Sequence, residues 1–248
     1  MYQEIDLPGI GTLWRSTALE TPAVIPADGC ADIILRDDAL VVAGPSTRSI
    51  VAEGPASSET RGLRFPPGTA STALGIVPGE VRNRVVAAED VLSAQLRASS
   101  AAFLRDAWAD PCYGAPAGSA RSEEYAPLQR GFTPGKVQLL GRSDDHRWVG
   151  AARAAAHRGD SAAALASLLG YSERQLQRRM VAQFGYGYAV LRRVVRAGHA
   201  QSLIRAGAPL AGAASLSGFS DQAHLTREFR ELVGQTPSEF ATRARTGH

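Results

Sequence analysis

The first 145 residues contain no histidine; all five histidines lie at or after His146. That excludes from this stretch a histidine-built metal site and any local serine–histidine or cysteine–histidine nucleophile. Cysteine is nearly as scarce. Cys30 and Cys112 are the only two, too few for a disulfide framework and compatible with a reducing compartment. Asp28 and Asp32 flank Cys30, and neighbouring carboxylates raise a thiol pKa, so Cys30 is expected to be a buried structural residue. Lysine is almost absent: Lys136 is the single lysine among 27 basic residues. Arginine suits bidentate contacts with phosphate and guanine, although a GC-rich genome produces the same bias. No apolar run reaches the ~20 residues of a membrane span, so no membrane partner is expected. The opening MYQEIDLPGIG carries acids and no basic stretch, so no signal peptide is expected and the protein is placed in the cytoplasm.

What is present points to a folded, two-domain chain. The length is 248 residues, with 44% hydrophobic and 21% charged, enough apolar material for real cores. The net charge of +3 hides an asymmetry. From residue 151 onward 13 arginines outweigh 6 acids, giving +7, while residues 1–150 carry −4. The cationic excess sits where a nucleic-acid-binding module would need it.

The most patterned stretch is Gly218 to Phe240. Ser220 is expected to cap a helix with Asp221 in its first turn. Leu225, Phe229 and Leu232 recur at helical spacing on one face. Gln222, Ala223, Thr226 and Arg227 fall on the other, where Gln, Thr and Arg side chains can hydrogen-bond base edges. Gly234 ends the helix, and Thr236-Pro237-Ser238-Glu239 starts another with a capping box and an early proline. The same arrangement occurs upstream. Ser161 to Leu169 is a short apolar helix, Gly170-Tyr171-Ser172 a turn, and Ser172 to Phe184 a second helix with Ser172 and Gln175 as a capping box. Leu176, Met180 and Phe184 face inward, and Arg174, Gln177 and Arg178 line the opposite side. Between the two units, Tyr188 to Ala206 forms a helix roughly 28 Å long, with Leu191, Val194, Val195, Leu203 and Ile204 inward.

Gly218-Phe219, Asp221-Gln222, His224-Leu225, Arg227, Phe229 and Gly234 to Pro237 resemble the second helix-turn-helix of AraC/XylS-type transcription regulators, and residues 161–184 resemble the first. The resemblance covers about the last hundred residues well. It implies a double-stranded DNA partner, with base-reading positions at Arg174, Gln177 and Arg178 in the first unit and Gln222, Ala223, Thr226 and Arg227 in the second. Arg179, Arg192 and Arg193 are expected to touch phosphates. Ala223 departs from the polar residues frequent at its position. His224 is expected to pack at the turn rather than read a base. An Ada-like methyl-accepting repair protein also carries such a motif, but its zinc site needs four cysteines.

Upstream, short apolar or alternating runs at Ala31–Leu35, Leu40–Ala43, Ser49–Ala52, Gly62–Phe65 and Ser71–Val77 are punctuated by Gly, Pro and Asp, which predicts strands in an antiparallel barrel or sandwich. PADGCADIIL, VVAGPST and LRFPPGTASTALGI resemble the N-terminal sensor domain of one branch of the same family. Pro78-Gly79 opens a short helix. Glu89 to Trp108 is predicted as one amphipathic helix that packs under the barrel or forms a dimer seam.

The expected fold is α+β: a β-rich, barrel-like sensor or assembly domain at 1–108, a linker at 109–143, and an all-helical domain at 144–248 of two helix-turn-helix units joined by a long helix. The expected function is a sequence-specific DNA-binding transcription regulator, activator or repressor. A small organic effector and a homodimer are the other expected partners. No catalytic residue, cofactor or metal is expected, so the chain is not read as an enzyme. The alternative is a small-molecule-binding or catalytic protein with an accessory DNA-binding domain.

Overall fold

The computed structural model describes residues 2–17, 23–52, 59–108 and 143–246. The expected linker therefore falls almost wholly outside the described residues, as do Cys112 and the side chains of Asp144 and Asp145. The strands are β1 (Tyr2–Leu7), β2 (Gly11–Ser16), β3 (Ala23–Ile25), β4 (Ala31–Arg36), β5 (Ala39–Ala43), β6 (Ile50–Ala52), β7 (Thr60–Phe65) and β8 (Val85–Ala87). Six of them form an antiparallel sheet in the order β1-β2-β7-β4-β5-β8, and β3 pairs with β6 as a separate ribbon. The sheet is thus open at β1 and β8 rather than closed into a barrel. The β4–β5 hairpin turns on Asp37 and Asp38, both with positive φ, 46° and 64°. Asp is among the few side chains that tolerate this turn, whose twist matches its flanking strands.

Alternation along the strands gives the sheet two different faces. Leu13, Ile33, Leu63, Phe65 and Val42 lie on the face that is almost wholly buried. They pack against α1 (Ala70–Leu74), α2 (Pro78–Val81), α3 (Ala88–Val91) and α4 (Ala94–Asp106). Leu96, Phe103 and Leu104 of α4 belong to this core, so its apolar stripe is used against the sheet. Full burial of each such side chain contributes about 1.5–3 kcal/mol. The other face carries Glu4, Trp14, Asp32 and Arg64, with Glu4 opposite Trp14 and Arg64 opposite Asp32.

Two expectations are corrected here. The strand expected at Ser71–Val77 is helix α1. Ala70, Ala73 and Leu74 are buried at i, i+3 and i+4, a helical period that a short apolar run does not distinguish from a strand. The single helix expected at Glu89–Trp108 is α3 and α4. Leu92 between them is extended, and Ser93 caps α4 by accepting the Leu96 N–H at 3.3 Å.

The helical part comprises α5 (Ser143–Arg158), α6 (Ala162–Leu168), α7 (Glu173–Phe184), α8 (Tyr188–Arg205), α9 (Leu210–Leu216), α10 (Gln222–Val233) and α11 (Pro237–Thr246). It has two cores. Trp148, Leu165, Leu176, Met180 and Phe184 form one with Leu191 of α8; Phe219, Leu225, Phe229, Leu232 and Phe240 form the other with Val194, Ala197 and Ile204 of α8. The long helix therefore contributes to both and joins the two units.

Candidate nucleic-acid interface

Each unit places a capped helix with one face buried and the other open. In α7, the Gln175 N–H donates to Ser172 Oγ at 3.2 Å and the Ser172 N–H donates back to Gln175 Oε1 at 2.8 Å. In α10 the cap is Asp221, not Ser220 as expected: its Oδ1 accepts the His224 N–H at 2.6 Å. That hydrogen bond, joined by one from the Ser220 hydroxyl, holds the Asp221 carboxyl below its ordinary pKa. A second effect is alignment. Counted from Ser172, Arg174, Gln177 and Arg178 are residues two, five and six; counted from Asp221, Ala223, Thr226 and Arg227 occupy the same places. Leu176 and Leu225 are buried at equal steps from their caps, as are Met180 and Phe229.

Of the residues expected at bases, Arg174, Gln177, Arg178, Gln222, Ala223 and Arg227 are exposed and Thr226 is half-buried. Thr226 Oγ1 donates to the Gln222 carbonyl one turn back, at 2.8 Å. His224 meets the Phe219 ring edge-on at 5.3 Å, with its Nδ1 3.1 Å from Ser220 Oγ. Among the expected phosphate contacts, Arg179 is exposed and stacks on Tyr171 at 4.6 Å. The other two are held by protein groups in this structure. Arg192 donates to the Gly159 carbonyl at 2.9 Å. Arg193 pairs with Glu228 and Glu231 at 2.8 and 2.7 Å, which raises its pKa and ties α10 to α8.

The C-terminal ends of both exposed helices dock onto the β-rich part. At the end of α10, the Glu231 carbonyl accepts from Ser49 N–H at 3.0 Å and the Leu232 carbonyl from Ala27 N–H at 2.6 Å. These are carbonyls that a helix end leaves unpaired. Gly234 takes the left-handed cap at φ 76°, and a Cβ there would lie 2.4 Å from Val24. At the end of α7, Gln183 Nε2 donates to the Gly68 carbonyl at 2.8 Å. A Cβ on Gly68 would meet the Phe184 ring at 2.6 Å. Arg82 donates to the Gly185 carbonyl at 3.1 Å, and the buried Tyr186 hydroxyl donates to the Gly29 carbonyl at 2.9 Å. Sequence reasoning found none of Ala27, Ser49, Arg82, Gln183 or Tyr186.

Between the polar face of the sheet and helices α5 and α8 lies a cleft of about 1750 Å³. Trp14 Nε1 donates to Asp32 Oδ1 at 2.7 Å. Arg64 Nε is 3.3 Å from carboxylates of both Asp28 and Asp32, and its NH1 is 3.2 Å from Glu4. Burial raises the Asp32 pKa to about 7 against the pull of Arg64, with Asp28 adding to the rise. Burial, then Asp28 and Asp32, push the Cys30 thiol well up, so it is not a ready nucleophile. Among the described residues no group of three or more His, Cys, Asp or Glu is placed to hold a metal ion, and no helix is long and apolar enough to cross a membrane.

Comparison with known proteins agrees with the geometry of the helical part. The family profile of a helix-turn-helix domain matches residues 165–243. The HTH-type transcriptional regulator RipA of Corynebacterium glutamicum is 38% identical over 77 residues, 31% of this chain and 23% of that protein. The match thus spans less than a quarter of the curated relative. Among solved structures, a probable AraC family transcriptional regulator from Rhodopseudomonas palustris is 28% identical, over 40% of this chain and 97% of that chain, with a TM-score of 0.36. ToxT of Vibrio cholerae aligns over 100% of this chain and 99% of its own at 12% identity and a TM-score of 0.50. The order of an antiparallel sheet followed by a helical part is therefore a fold the two share. The C-terminal helices form a helix-turn-helix domain, and over that region the chain is similar to a curated HTH-type transcriptional regulator.

Proposed function

We propose that this chain, with its helix-turn-helix domain, is a cytoplasmic, sequence-specific transcription regulator of the AraC type. A DNA-binding domain at 144–248 follows a β-rich sensor domain at 1–108. One observation carries this conclusion. Two helices, α7 and α10, present open faces with Arg178 and Arg227 at the same step from their caps, and one continuous helix runs through both cores. That helix has 18 residues, about 27 Å at 1.5 Å per residue. The length is close to the ~34 Å turn of DNA, so both helices can enter successive major-groove segments on one face. Arg174, Gln177, Arg178, Thr226 and Arg227 then read base edges, Ala223 offers only a methyl to thymine, and Gln222 and Arg179 flank them.

The β-rich domain is a sensor on this proposal because its contacts end on both reading helices. An effector in the cleft lies beside Asp28, between Ala27, which bonds α10, and Gly29, which bonds Tyr186 after α7. The test is selection of bound sequences from random duplex DNA with the full chain. A bipartite site with its halves one turn apart is expected. Equal binding to all duplexes, or one short box only, would refute two-unit recognition.

A further inference from the structure

The cleft has walls of opposite sign. On the sheet wall Glu4, Asp28 and Asp32 surround Arg64, and with Asp37 and Arg36 the lining has four carboxylates to two guanidiniums. Tyr2 and Trp14 stack beside them with ring centroids 6.2 Å apart, and aromatic faces attract cations. On the helix wall Arg153, Arg192 and Arg196 line the same space, and no Asp or Glu of α5 or α8 joins them. Arg192 and Arg196 donate to the carbonyls of Gly159 and Gly218, which satisfies some N–H groups; Arg196 also lies 5.0 Å over the Phe219 ring and its charge is favoured by Glu228 of α10, which is already paired with Arg193. The Nε of Arg192 and that of Arg196 are buried without a hydrogen-bond partner. The ion pairs at the cleft, Arg64 with Glu4, Asp28 and Asp32 and Arg158 with Asp160, each stay on one side of it. The walls nevertheless converge. Tyr186 bonds Gly29 and feels Cys30 and Asp28 from the sheet side and Arg153 from the helix side.

Half-enclosed charge without a partner is costly. A simple anion would answer the arginines and leave the carboxylate excess; a simple amine would do the reverse. We infer that the cleft binds a small organic zwitterion, its ammonium against Asp28, Asp32 and Glu4 and its carboxylate against Arg153, Arg192 and Arg196. Val41, Val194 and Val195 also line the cleft and suit an apolar spacer between the two charges. The inference deepens the sensor role proposed above and rests on it for its effect on DNA.

The test is calorimetry on the full chain with three matched series: ω-amino acids from glycine to 6-aminohexanoate, n-alkylamines, and n-alkanoates. An amino acid is expected to bind at least about tenfold more tightly than the amine or alkanoate of its length, since each added charge-assisted contact is worth that much. Asp28→Asn should weaken the amino acid by roughly tenfold and leave the alkanoate series unchanged; Arg153→Ala should weaken it similarly and leave the amines unchanged. If Asp28→Asn fails to fold by circular dichroism, Arg153→Ala and Arg153→Lys carry the test, with the lysine variant expected to recover binding. An amine or alkanoate that binds as tightly as the matched amino acid overturns the inference. So does the absence of amino-acid binding up to millimolar concentration. An amino acid that binds but leaves affinity for the selected duplex unchanged refutes the sensor role and leaves the ligand class standing.

Discussion

Tyr186→Phe isolates one hydrogen bond between the two parts of the molecule. Tyr186 is 1% exposed and meets Phe184 edge-on at 5.9 Å. Phenylalanine keeps that ring contact and opens no side-chain-sized cavity, so the change reduces to the hydroxyl. Its partner, the Gly29 carbonyl, has no other donor among the described residues. A neutral bond is worth about 1 kcal/mol, and a carbonyl left buried and unpaired raises the loss to 2–3. We expect destabilisation of about 2 kcal/mol, or a fall in Tm of roughly 4–8 °C for a chain of this size. Urea unfolding and calorimetry of the full chain measure it. The pH dependence gives an independent check. Burial raises the phenol pKa well above its ordinary value, while the unfolded phenol ionises near pH ~10. The contribution is therefore fully present below that pH and declines above it, so the variant and the parent should converge in alkali. A loss below about 0.5 kcal/mol at neutral pH would show that the contact does not join the two parts, because a merely solvated hydroxyl is worth that little.

Asp32→Asn should flatten the pH profile. Asp32 titrates near about 7 in the fold against ~3.9 unfolded, so the parent loses stability as pH rises through that window while the variant does not; urea melts at the two ends compare them. Gly212→Ala should stabilise by about 0.5–1 kcal/mol, because Gly212 lies within α9 and a Cβ there meets nothing within 4 Å; thermal melts decide. Arg178→Ala and Arg227→Ala should each lose ~1–3 kcal/mol at one base position, about one turn apart, and spare unrelated sequences. Equal weakening on every duplex in competition binding would assign both arginines to phosphates instead.

The helical part was legible because its signals are local. Ser172 and Gln175, or Thr236 and Glu239, announce helix starts within four residues, and the buried faces of α7 and α10 follow one period. The single slip there, Ser220 for Asp221, arose because two adjacent residues both suit a cap, and only the backbone at Asp221 decides. The β-rich part was less legible. Strand β8 has three residues and is defined by pairing to β5, a partner distant in sequence. Helix α1 was hidden in a run too short to show its period. The cleft was illegible for a different reason. Asp28, Arg64 and Arg153 belong to three elements, and nothing in their spacing says that a sheet face and two helices will oppose one another.

The turn Pro26 to Cys30 shows how such distant groups become one device. Asp28 Oδ1 accepts from Cys30 N–H at 2.9 Å and from Ser46 Oγ at 3.0 Å, and Gly29 takes φ 68°. The turn is also fastened to Ser46 after β5, whose carbonyl accepts from the Gly29 N–H at 2.9 Å and whose N–H donates to the Cys30 carbonyl at 3.3 Å. Beyond its bonds to Ser46, its contacts include Asp28 to Arg64 at the cleft, Ala27 to the end of α10, and Gly29 to Tyr186 beyond α7. A charge that enters the cleft and draws on Asp28 therefore acts on a segment that also contacts the end of α10 and Tyr186, in the connection from α7 to α8. Because α8 belongs to both helical cores, a shift at either contact changes the relation between the two helices rather than the shape of one. On the proposed function, that relation sets which half-site spacing the protein accepts, and a small ligand acts on DNA binding without touching a base-reading residue.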